Sequence, residues 1–227
     1  GIDELRLRRL RSMMKNKVCE LKRQFHDIVN KPVKMLQFNP LLNLCFAIFY
    51  LFSAVVTRSS WIGTMAFYYT WLSIQRLLLR KRLSCGIKKQ WKSHIHCGIL
   101  LLFSSLVIVG MNILLLRGVK EIVYPLYLIY GVAAYAFYSV TIAIINVIKY
   151  KKILHPIFLA NKNLSLVVAM ISMLSMQSAL LTAFGNDVVF SKNMSIITGF
   201  IIFGFVVALS VIMIVFGRKQ YKQAYND

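Results

Sequence analysis

Acidic side chains are scarce: seven Asp and Glu stand against 28 Lys and Arg in 227 residues, a formal net charge of +21. None of the seven lies inside a long apolar stretch. Asp3, Glu4, Glu20, Asp27 and Asp227 lie towards the chain ends, and Glu121 and Asp187 fall in short connections. Proton- or sodium-coupled transport usually relies on a membrane-embedded carboxylate, and aspartyl intramembrane proteolysis needs two. Both readings are therefore disfavoured. Histidine is equally sparse, with four residues and none at the middle of an apolar stretch to serve a serine nucleophile as base. The four cysteines (Cys19, Cys45, Cys85 and Cys97) give no disulfide framework. His94, His96 and Cys97, with Cys85 upstream, are of metal-ligand type, but His-x-His-Cys is not a standard zinc spacing and the group straddles a span boundary. Ordinary interfacial histidines and a packed thiol are the simpler reading. No catalytic residue, metal or cofactor is expected.

What the chain does have is apolar length. Hydrophobic residues make up 58% of it, more than a soluble domain can bury or a disordered chain would contain. A nucleic-acid-binding protein would carry the charge, but not interleave it with six apolar stretches, so no nucleic-acid partner is expected. The stretches are Pro40 to Thr57, Trp61 to Leu79, Cys97 to Leu116, Val123 to Ile148, Leu164 to Phe184 and Met194 to Phe216. Each is about the length that a helix needs to cross a bilayer. Asn39 with Pro40, Asn163 and Asn193 read as helix starts for the first, fifth and sixth spans. The expected fold is an all-α integral membrane bundle of six transmembrane helices in three hairpins. The domain plan is a cytoplasmic basic amphipathic helix over 1–39, the bundle over 40–217 and a short cytoplasmic tail over 218–227.

Charge sets the sidedness. With six spans, 24 of the 28 Lys and Arg fall on one side, and only Arg58, Arg117, Lys120 and Lys192 fall on the other. The positive-inside bias then places both termini in the cytoplasm of a multi-pass membrane protein. The outer connections, near 58–60, 117–122 and 185–193, are too short to form an external domain. No signal peptide is expected, because residues 1–39 hold ten Lys and Arg and no uninterrupted apolar core. The chain opens on Gly1 rather than Met, as a trimmed chain or a fragment would.

Leu7, Leu10, Met14, Val18, Leu21, Phe25 and Ile28 recur at steps of three and four, with Arg8, Arg9, Arg11, Lys15, Lys22 and Arg23 mostly off that stripe. A helix of this kind suits anionic lipid headgroups, where each cation contributes about 1 kcal/mol. A coiled-coil or partner-docking helix is the rival reading. The segment Arg80 to Lys92 reads as a basic loop, with Trp61 and Trp91 near span ends as interface anchors.

Ala66-Phe67-Tyr68 in the second span matches Ala136-Phe137-Tyr138 in the fourth, seventy residues later, and each span ends in a basic cluster. The match reads as a duplication of a hairpin or as the periodicity any six-span protein shows. At this offset the counterpart of Arg76 is Asn146, and the two are candidates to face each other near the inner headgroup level. A guanidinium there suits a phosphate or carboxylate; the simpler reading has Arg76 snorkel to the interface with Arg80. The fifth span carries Ser165, Ala169, Ser172, Ala179 and Ala183 at helical spacing, beside Ser175, Ser178, Thr182 and Gln177. This pattern suits a central packing helix, with Gly199 and Gly204, and Gly131 with Ala134, as its expected partners. Gln177 and Tyr138 complete the candidate binding residues. Tyr68, Tyr69, Trp71, Tyr130, Tyr135 and Tyr138 suit a cavity or plain interhelical packing.

The run Tyr127-Leu128-Ile129-Tyr130 through Ile145-Asn146 to Tyr150-Lys151-Lys152, and the run Ser175-Met176-Gln177-Ser178-Ala179-Leu180-Leu181-Thr182-Ala183-Phe184-Gly185, resemble uncharacterised multi-pass membrane proteins of Gram-positive bacteria. The resemblance covers about a third of the chain and implies a bacterial plasma membrane, with no activity to carry over. The expected function is a non-enzymatic accessory, regulatory or scaffold module that contacts the bilayer, anionic headgroups, and a membrane protein partner or a second copy of itself. The alternative is a small permease or channel for an apolar or weakly polar solute.

Overall fold

A hydrocarbon environment offers no partner for a free backbone amide, so every apolar stretch must satisfy its own hydrogen bonds as a helix. The structure, a computed structural model, describes residues 40–117, 124–149, 155–185 and 187–226. Of these, 92% are helical, and no strand occurs among them. Six helices follow in order: α1 (Pro40–Thr57), α2 (Ser60–Lys81), α3 (Ile87–Leu116), α4 (Leu126–Lys149), α5 (Pro156–Phe184) and α6 (Val188–Asn226). The unit Pro40–Asp227 is described here by itself. The amphipathic stripe expected over residues 5–29 lies outside the described residues.

Five helices are long and apolar enough to cross a membrane, not six: α2 falls short. The reason is on its inner face. Tyr68, Tyr69, Ser73, Gln75 and Arg76 lower its average apolarity, yet all are buried against other helices. The outward faces of α1 and α6 carry Val55, Phe52, Ile201 and Val215 exposed, as lipid contact requires.

Several boundaries move. The second half of the expected basic loop, from Ile87, is the first turns of α3, which leaves only 82–86 as the connection. Gln90 closes that turn by donating to the Leu83 and Cys85 carbonyls at 2.9 and 2.7 Å. α5 starts at Pro156 in the first turn after an extended His155, so Asn163 lies within the helix rather than capping it. Nor does Asn193 cap α6. Asp187 does, its carboxylate accepting from the Val189 and Phe190 amides at 2.8 and 3.1 Å. At its far end α6 continues through 218–226 as one helix.

α5 is the central helix, as its small residues imply. In its most apolar window 61% is buried, against 28% for α1 and α6. Its hydroxyls bond outward to its neighbours: Ser175 accepts from Tyr50 of α1 at 2.9 Å, and Ser172 bonds Ser139 of α4. The glycines, however, serve other seams. Gly131 faces the Phe49 ring of α1, and a Cβ on Gly204 would meet nothing. Gly98 lies against Met213 and Ile214, Gly199 against Asn112, and Gly217 against Ile95 and His94. These three pairs run in opposite order along α3 and α6, so the two long helices pack antiparallel, backbone close to backbone.

The second and fourth helices bury equivalent faces. Ala66 and Ala136 are buried, Phe67 and Phe137 point outward, and Arg76 and Asn146 are both buried.

Candidate functional site

Arg76 extends the inner stripe of α2. Met65, Tyr69, Leu72 and Ser73 precede it at helical spacing and all are buried, so the helix carries the guanidinium into the bundle with them. It is 3% exposed, while Arg80, one turn on, is exposed. Arg76 therefore does not snorkel. Instead its Nη2 donates to Ser165 Oγ of α5 at 3.2 Å. Asn146 of α4, fully buried, donates its Nδ2 to the same oxygen at 2.8 Å. Ser165 in turn donates to the Asn161 carbonyl one turn earlier, at 2.9 Å. Two side chains from helices seventy residues apart thus meet on one hydroxyl.

α3 closes the junction. Cys97 reaches the Gln75 carboxamide oxygen, with Sγ and Oε1 3.8 Å apart, and its thiol lies within electrostatic reach of Arg76. Tyr135 and Tyr138 of α4 feel the same charge. Tyr135 also donates to Asn43 of α1.

The junction is polar but incompletely paired. Arg76 Nε, Gln75 Nε2, Asn146 Oδ1 and both amide atoms of Asn161 are buried without a hydrogen-bond partner. Among the described residues the sole carboxylate side chain is Asp187, at the start of α6 and engaged there as the cap. A buried guanidinium bonded to a neutral hydroxyl, with its Nε–H unpaired, keeps all of its charge without a neutralising anion.

The four candidate residues do not form one site. The fold brings Arg76 and Asn146 together, with Tyr138 half-buried nearby. Gln177 lies elsewhere: its Nε2 donates to Thr198 of α6 at 3.0 Å, and twelve residues along α5 separate it from Ser165 by about 18 Å. The partners of Arg76 and Asn146 are Ser165, which the sequence marked only as part of a packing stripe, and, through it, Asn161, which the sequence did not mark. Their spacing of four on α5 puts them on one face, which is the signal that was available.

The His–Cys group does not converge. His94 points its Nδ1 at the Pro156 carbonyl, 3.0 Å away, His96 is exposed and Cys97 faces Gln75. Trp61 and Trp91 are not interface anchors. Trp61 is buried and donates to Tyr124 at 2.7 Å, and Trp91 packs edge-on to His94 and Phe216. The aromatic set splits: Tyr130 is 71% exposed, while Phe46 stacks on Tyr135 with centroids 3.8 Å apart and Tyr69 meets both rings edge-on.

No protein-family model matches the chain, and no curated protein matches it.

Proposed function

We propose that this multi-pass membrane protein is a non-enzymatic accessory, regulatory or scaffold module of a bacterial plasma membrane, with both termini cytoplasmic. The observation that carries this reading is the aromatic interior. Phe46, Tyr50, Tyr69 and Tyr135 lie ring against ring where a permease would hold an apolar solute, so the space is taken up by packing. Sidedness rests on α2 as a sixth crossing. Its 22 residues span about 33 Å, close to the hydrocarbon thickness. Two-residue and five-residue connections tie it between α1 and α3. An even number of crossings then puts the basic ends on one side.

The test is native mass spectrometry of the full-length protein, gently extracted from its own membrane. The expected result is a stoichiometric second protein that is lost when residues 1–39 are deleted. A lone monomer or homo-oligomer would refute the accessory reading. The second reading is a small permease or channel, favoured by the unpaired polar atoms around Arg76. It expects solute flux in proteoliposomes that Tyr138→Ala or Gln177→Ala abolishes.

A further inference from the structure

We infer that the junction of Arg76, Asn146, Asn161 and Ser165 is a binding site for a phosphoryl oxyanion, entered from the basic end of the bundle. The inference holds under either reading of the function. Three observations carry it. First, the guanidinium is 3% exposed and bonded to a neutral hydroxyl, with Nε unpartnered. A buried cation in that condition is costly until an anion neutralises it, and a guanidinium fork matches two oxygens of a phosphate at once.

Second, the groups around it supply what a phosphate needs. Asn161 Nδ2 is a further unpartnered donor, and Asn146 Oδ1 and Asn161 Oδ1 are unpartnered acceptors. Acceptors beside donors suit a phosphate that carries its own hydroxyl, as a monohydrogen phosphate or a glycerol phosphoester does. Third, the location suits such a group. Arg76 lies five residues before Lys81, the end of α2, and Asn146 three before Lys149. That depth is about 5–8 Å below the helix ends. The phosphoryl group comes either from a lipid headgroup of the inner leaflet or from a free ion.

The experiment uses the full chain purified in a neutral detergent and then returned to nanodiscs. Thermal unfolding is followed with inorganic phosphate against chloride at matched ionic strength. It is followed again in phosphatidylcholine discs with and without phosphatidylglycerol, with native mass spectrometry for retained lipid. Stabilisation by phosphate over chloride assigns a free ion. Stabilisation by phosphatidylglycerol alone, with that lipid retained, assigns a headgroup. In either case Arg76→Gln weakens the response by roughly tenfold or more, as loss of charge-assisted bonds requires, and Arg218→Gln at the exposed end of α6 leaves it unchanged. Should Arg76→Gln not fold, Asn161→Ala serves for the same comparison. A wild-type chain that responds to neither probe overturns the inference. So does an Arg76→Gln or Asn161→Ala chain that responds as wild type does.

Discussion

Replacing Ser165 with alanine removes one oxygen and unties three helices at once. The hydroxyl is buried, accepts from Arg76 and Asn146, and returns its own proton to the Asn161 carbonyl. Interhelical hydrogen bonds within membranes average about 0.6 kcal/mol and reach about 1.7. Two of them therefore contribute roughly 1.2 to 3.4 kcal/mol. The intrahelical bond to Asn161 adds little, because alanine is the better helix former by up to about 0.5 kcal/mol. The cost of leaving a guanidinium and a carboxamide buried without an acceptor pushes the sum to the upper half. The expected loss is about 2–3 kcal/mol, read by denaturant titration in bicelles. Ser165→Ala and Asn146→Ala should also couple in a double-mutant cycle, the pair costing less than the two single losses added together. A Ser165→Ala chain within about 0.5 kcal/mol of wild type, or strictly additive losses, would refute the shared-acceptor geometry.

Four further outcomes follow from particular residues. Arg58, between α1 and α2, has a φ of 49°, a conformation that L side chains enter at a cost of about 1–2 kcal/mol; Arg58→Gly should raise stability by up to about 1 kcal/mol in the same titration. A side chain on Gly199 would overlap the Asn112 carboxamide; Gly199→Ala should destabilise by about 1–3 kcal/mol, and adding Asn112→Ala should recover most of that loss. Burial holds the His155 imidazole below its ordinary value, near 6.5. The unfolded chain takes up that proton first, so stability should fall as pH drops below about 6.5 and level off below the folded value; His155→Gln should flatten that part of the profile. Finally, reporter fusions within 82–86 should read cytoplasmic and fusions at Ser59 external. The same side for both would mean that α2 does not cross.

Much of the architecture was legible because helices in a bilayer follow local rules. Apolar length gave the number of helices to within the special case of α2, and small residues at helical spacing marked α5 as central. The pairing of Arg76 with Asn146 was readable as well, from the seventy-residue offset that relates Ala66-Phe67-Tyr68 to Ala136-Phe137-Tyr138. Helix ends were less legible. Asn163 and Asn193 looked like caps, but α5 begins seven residues before the first, at Pro156, and α6 five before the second, at Val188 after Asp187. An asparagine within a helix and one at a cap look alike in sequence, because the difference lies in whether the residues before it are already helical.

The sequence by itself determined which of the described segments are helical and which faces are apolar, because each depends on neighbours within a turn or two. Only the tertiary structure decided which helices meet. That Gly199 serves α3 rather than α5, that Trp61 turns inward to Tyr124, and that Ser165 is the oxygen on which Arg76 and Asn146 converge all depend on pairings 19 to 89 residues apart. Such pairings are settled by shape fit and by the need of each buried donor for an acceptor, and no local pattern carries that information.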